Sequence, residues 1–204
     1  MQDRAAVAVT PDINGRIARR VRALRTDLGM SLDALAAKCR VSRSMISLVE
    51  RGESSPTAVV LEKIASGLGV ALAALFEDSS AAANPVSRRD DRTPWRDPQS
   101  GYERRNISPP NFPSPIQLVE VVLPAGAQVA YETGARDVRM HQQIWVLAGA
   151  IEVTLGSVTY RLSEDDCLGM QLNAPTAFRN RTRKSSRYLV IITTERSGAS
   201  RRRP

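Results

Sequence analysis

Residues able to do covalent or metal chemistry are few in this chain. One histidine, His141, and two cysteines, Cys39 and Cys167, occur in 204 residues. That is too few for a Cys/His zinc site or a disulfide framework, and a single imidazole removes most hydrolase triads and all multi-histidine metal centres. Groups that bind phosphate and base edges are abundant instead: 29 Lys plus Arg stand against 21 Asp plus Glu, a net charge of +8. All but Lys38, Lys63 and Lys184 are arginines, a bias that suits phosphate-binding forks and equally suits a GC-rich coding sequence. Residues 11–52 hold nine basic and four acidic side chains, and the last nine residues, RSGASRRRP, add four arginines and no acid. Inside the first region, SRSMISLVER (42–51) places Arg43, Ser44 and Ser47 opposite Met45, Ile46 and Val49. Short polar and forked side chains near a helix start can reach base edges in a DNA major groove, with the positive helix end facing phosphate.

Presenting that face requires several short packed helices. From Thr10 to Phe76 apolar residues recur at helical spacing. Thr10-Pro11-Asp12 offers an N-cap with proline at the first helical position, and Ile13, Ile17, Val21, Leu24 and Leu28 form one stripe ending at Gly29. Ser31 caps a second helix with Leu32, Leu35 and Ala36, which breaks at Cys39-Arg40-Val41. Ser42 caps a third, with Val41 and Ile46 at the positions of a hydrophobic staple and Gly52 at its end. Ser55-Pro56 opens a fourth helix (Val59, Val60, Ile64, Leu68, then Gly69), and Ala71 to Phe76 make a fifth.

The run RVRALRTDLGMSLDALAAKCRVSRSMISLVERGESSPTAVVLEKIASGLGVALAALF resembles the helix-turn-helix of the XRE family, the Cro and phage-repressor type, most specifically from Val41 to Leu68. The resemblance implies a five-helix, all-α, lambda-repressor-like domain. It implies base contacts from Arg43, Ser44 and Ser47, beside the cap Ser42, with Leu48 set to touch a thymine methyl. Ser31 and Leu32 fall where the family meets the DNA backbone and neighbouring bases. Arg25 belongs to the same expected set, and with Glu50 it matches a position pair that the family joins as a structural ion pair. One departure is Arg40, where the family usually has glycine, so that a left-handed backbone there is strained.

From about Tyr102 the pattern changes to short alternating runs between Pro, Gly and Asp turns. Strands are expected at 116–123, 128–132, 143–149, 150–156, 158–163, 166–172 and 187–195. Residues 141–180 resemble the cupin fold, a jelly-roll barrel, and WRDPQSGYERRNISPP resembles the lead-in strand of cupins fused to such a helix-turn-helix. The domains expected are therefore 10–77 helix-turn-helix, 78–98 exposed linker, 99–196 cupin-like, and 197–204 a basic disordered tail. Cupins supply three histidines and a glutamate to a metal. The corresponding positions here are Gln142, a histidine-free stretch near Ala135 to Val138, and Thr176, and the usual Pro-Gly-Asp turn is Glu164-Asp165-Asp166. A metal cofactor is therefore not expected.

The barrel is expected either to hold a ligand pocket built from Tyr131, Gln142 or Gln143, Thr176, Phe178 and Trp145, or to be filled. His141 faces outward if Gln142 faces inward, and inward with Gln143 and Trp145 in the other register. Cys167 is expected to pack as a small apolar residue. These features point to a regulator that binds a double-stranded DNA operator as a homodimer and senses a small-molecule effector, without enzymatic activity. A metal-dependent oxygenase, epoxidase or isomerase with an accessory helix-turn-helix, and an architectural DNA binder with a filled barrel, are the alternatives. No apolar run reaches the ~20 residues of a membrane span and no signal peptide is visible, so a cytoplasmic protein, nucleoid-associated when bound, is expected.

Overall fold

The computed structural model describes residues 12–77, 83–132 and 138–196. The basic tail and the start of the chain, including Thr10 and Pro11, lie outside them. Four α-helices open the fold: α1 (Ile13–Asp27), α2 (Leu32–Cys39), α3 (Arg43–Arg51) and α4 (Ala58–Leu68). The expected fifth helix is a 3-10 turn, Leu72–Phe76.

Side-chain caps set the helix starts, not always where the sequence placed them. Asp12 itself caps α1, accepting from the Gly15 amide at 2.9 Å. Ser31 and Ser42 cap α2 and α3, accepting from the amides of Ala34 and Met45 at 3.1 and 3.2 Å. Thr57, two residues after Ser55, caps α4. The inward faces supply Ile17, Val21, Leu35, Ile46, Val49, Leu61 and Ile64, all at most 2% exposed. Leu61, not Val60, is the buried residue of the first turn of α4, and Leu28, expected in the α1 stripe, is 55% exposed. Gly67 lets α4 lie directly on α2: a Cβ there would stand 2.7 Å from that of Cys39. In the turn before α3, Arg40 adopts φ 55 and ψ 37, the left-handed conformation that glycine takes at lower cost.

The C-terminal part is two antiparallel sheets. One has six strands in the order β1-β2-β3-β10-β5-β8, and the other has four in the order β4-β9-β6-β7. In chain order these are β1 (Trp95–Arg96), β2 (Glu103–Asn106), β3 (Ile116–Leu123), β4 (Gln128–Tyr131), β5 (Val138–Ala148), β6 (Ala150–Leu155), β7 (Val158–Ser163), β8 (Cys167–Gln171), β9 (Thr176–Arg179) and β10 (Ser186–Arg196). Two sheets facing each other across apolar side chains make the jelly-roll architecture implied by the cupin resemblance. Strand β9, absent from the sequence reading, fills the second sheet by pairing with both β4 and β6.

The segment expected to be an exposed linker ends as part of the fold. Trp95 and Asp97 are 3% exposed. Asp97 Oδ1 accepts from the Ala58 amide at the start of α4 at 2.8 Å, and its Oδ2 accepts from the Ser100 amide at 2.7 Å and the Ser100 hydroxyl at 2.5 Å. Asn106 Nδ2 donates to the Ala73 carbonyl at 3.0 Å, and Gln117 Nε2 donates to Glu77 at 2.7 Å. Helical and β parts are thus docked through buried polar contacts. For the strained turn, Arg40→Gly is expected to raise stability by about 0.5–1 kcal/mol, measured as a higher denaturant midpoint at unchanged slope.

Candidate nucleic-acid interface and barrel cavity

The face expected to read DNA is built by two helix starts brought side by side. Arg43, in the first turn of α3, pairs with Asp33, in the first turn of α2, at 3.3 Å, and both side chains are well exposed, at 66% and 75%. Each of these helix ends carries unpaired amides and a partial positive charge. Ser42 and Ser44 are exposed, their hydroxyls 3.2 Å apart. Ser47 and Leu48 are half-buried one turn on. Arg51 donates to the Ser47 hydroxyl and pairs with Glu53 at 2.7 Å. Ser31 is exposed, whereas Leu32 is half-buried against the core.

Arg25 occupies a different place from these residues. Its Nε and Nη2 donate to the two carboxylate oxygens of Glu50 at 2.6 and 2.8 Å, and its Nη1 donates to the Met30 carbonyl at 2.7 Å. The side chains are only 13% and 7% exposed, and the hydrogen bonds that Arg25 donates to Glu50 raise its pKa further. All three nitrogens of the guanidinium are committed, so Arg25 braces α3 against α1 and is not on the exposed face that carries Arg43. The sequence reading missed Asp33 and Arg51, although the four-residue spacing of Ser47 and Arg51 on one helix is a signal for the latter.

In the β domain, strand alternation settles the side each residue of β5 takes. Met140, Ile144 and Val146 are buried with Gln142 on their side, and His141, Gln143 and Trp145 are exposed on the other. His141 lies between Thr193 and Gln171 on the outer sheet face. His141, Gln143 and Trp145 therefore do not belong to an internal pocket. Cys167, expected to pack as an apolar residue, is exposed beside Trp145, whereas Cys39 is buried and its thiol pKa is raised by that burial.

Tyr131, Gln142, Thr176 and Phe178 do line one cavity of about 80 Å³. Among the further lining groups that were not anticipated are Tyr102, Arg104, Glu132 and Tyr188. The helical domain closes one side with Glu62, Ala71 and Leu72. The Tyr102 and Tyr131 hydroxyls are 3.2 Å apart, Tyr131 packs edge-on to Phe178, and Phe178 stacks on Tyr188 at 5.9 Å. Burial raises the pKa of all three phenols, so they remain neutral. The described lining does not fit a divalent metal. Gln142 and Thr176 offer neutral oxygens, Arg104 places a cation in the same cavity, the lining acid Glu132 is paired with Lys63, and no three His, Cys, Asp or Glu cluster among the described residues.

If Arg25 and Glu50 position α3, breaking them destabilises the helical domain. Glu50→Gln leaves a guanidinium without its counter-charge and is expected to cost about 2–3 kcal/mol, read by chemical denaturation. Glu53→Gln, in the exposed pair with Arg51, is expected to leave the midpoint where it is.

Comparison with known proteins agrees with this geometry. A helix-turn-helix family model matches residues 21–75. The HTH-type transcriptional regulator SutR of Escherichia coli (strain K12) is 39% identical over 66 residues, 32% of this chain, and the match spans only 37% of SutR. Control protein C.MunI of Mycoplasma sp is 35% identical over 68 residues, 33% of this chain and 92% of that protein. The crystal structure of an HTH_3 family transcriptional regulator from Vibrio cholerae has a TM-score of 0.72 at 26% identity, covering 90% of this chain and 98% of that one. With its capped α2-turn-α3 unit followed by a jelly-roll β domain, the chain belongs to the XRE-type helix-turn-helix family.

Proposed function

We propose that the protein is a transcription regulator that binds an operator through α3 and takes a small-molecule effector into its barrel. The observation that carries this reading is the adjacency of the α2 and α3 starts, with Arg43 exposed where a major groove would receive it. The groove admits one helix, and a guanidinium there can bond bidentately to guanine N7 and O6. In the free chain Asp33 holds Arg43 in place. On DNA the guanidinium exchanges that carboxylate for a base edge, while Ser42 and Ser44 lie near phosphate. Ser47 and Leu48 reach the next base step.

A single helix of this kind makes few base contacts, so the working species is a homodimer whose reading helices lie about 34 Å apart on one DNA face. Trp145, exposed on the outer sheet face, is available to the second copy. The effector enters the cavity that the helical domain helps to close, and its influence on DNA binding equals its preference for one docking of the two domains over another. The barrel performs no chemistry of its own, because its described donors do not suit the metal that such folds use in catalysis.

A gel shift with the chain's own promoter region tests this reading. Arg43→Ala is expected to lose about 1–3 kcal/mol of discrimination between operator and scrambled DNA. Equal selectivity in the variant would displace α3 from its role. Elemental analysis of the purified chain is expected to find no stoichiometric transition metal, and finding one would reverse the assignment of a non-catalytic barrel.

A further inference from the structure

The barrel cavity contains a buried guanidinium with a donor that its described surroundings leave unused. Arg104, on β2, is 5% exposed, and its Nε has no hydrogen-bond partner. A guanidinium stays charged at any ordinary pH, and a charge withdrawn from water is costly unless an opposite charge meets it. The Tyr102 hydroxyl beside it is a neutral phenol, and the face of the Phe76 ring lies 4.4 Å from the guanidinium carbon. Two acids, Glu62 and Glu132, also line the cavity, and Glu132 is paired with Lys63 at 3.0 Å.

We infer that the ligand of the barrel is a small carboxylate with a short apolar tail, whose anionic group pairs with Arg104. The inference rests on the effector-binding reading above and gives that effector a chemical class. The Tyr102 and Tyr131 hydroxyls, 3.2 Å apart, are positioned to donate to the same carboxylate. Val129, Met140 and Phe178 supply the apolar wall for the tail. Affinity for the acid over its neutral analogue then comes from Arg104, because a hydrogen bond from the guanidinium to a carboxylate is stronger than one to a neutral amide.

Arg104 also gives occupancy a route to the DNA-binding part. It stands between the barrel cavity and a second, interdomain cleft, and it rests on Phe76, the last residue of the 3-10 turn. A carboxylate that draws the guanidinium inward weakens its contact with Phe76, so binding in the barrel and docking of the helical domain become linked.

Calorimetric titration of the full chain with sodium propionate, butyrate and benzoate, each against the amide of the same shape at matched ionic strength, tests this without any variant. Binding of the acids and not the amides is expected; equal binding of both, or no binding of any acid, overturns the inference. Arg104→Met is expected to weaken acid binding at least about 30-fold, with partial recovery in Arg104→Lys, and unchanged affinity in Arg104→Met overturns it as well. A gel shift on the same wild-type sample separates the two levels. Operator binding intact with no acid bound removes only the carboxylate, whereas no operator binding removes the regulator itself.

Discussion

The carboxylate of Asp97 is the contact on which the relation between the two halves depends. It comes from the segment leading into the first sheet, yet one of its oxygens receives the first amide of α4, and the other fastens the turn at Ser100. An acidic group at a helix start satisfies an orphan donor and meets the positive end of the helix dipole, and here it does so across a domain boundary and 3% exposed. The contacts of Asn106 with Ala73 and of Gln117 with Glu77 extend the seam along the 3-10 turn. Burial raises the Glu77 pKa against the opposing pull of Arg20. Since α4 packs on α2, and α2 on α3, α3 is tied to the barrel through a short series of packed elements.

That series makes sense of where the aromatic residues are. The chain has only nine Phe, Trp and Tyr. Six of them form a continuous run from Phe76 through Trp95, Tyr102, Tyr131 and Phe178 to Tyr188. The run starts in the helical domain and ends deep in the barrel, with Arg104 lying across its first ring. Scarcity of aromatics in the composition therefore conceals their concentration on one path.

Local signals carried much of the fold. Ser31 and Ser42 were legible as caps because capping needs only a short polar side chain three residues before a free amide. β3 and β7 were legible to the residue because their turns are marked by Pro and Gly. The side taken by Gln142 followed from period-two alternation once its neighbours were known to be buried. What the sequence did not reveal is long-range. Asp97 reads as one acid in a mixed-charge stretch, and nothing local shows that it meets Ala58, 39 residues away. Arg104 reads as part of a basic lead-in strand, ERRN, in which only the pairing of β2 with β3 decides which arginine turns inward. Gly67 looks like a weak point in a helix until α2 is laid against it. Strand β9 escaped because four residues, TAFR, are too few to establish a period.

The two tryptophans fall at opposite extremes of environment, one 3% exposed at the domain seam between Phe76 and Tyr102, and the other 41% exposed on the outer sheet. The chain consequently carries a built-in pair of optical reporters. Emission from Trp95 follows the seam and lies beyond the reach of soluble quenchers, while Trp145 answers to them directly. A change in how the halves meet and a change in what covers the sheet are therefore spectroscopically separable without attaching any label.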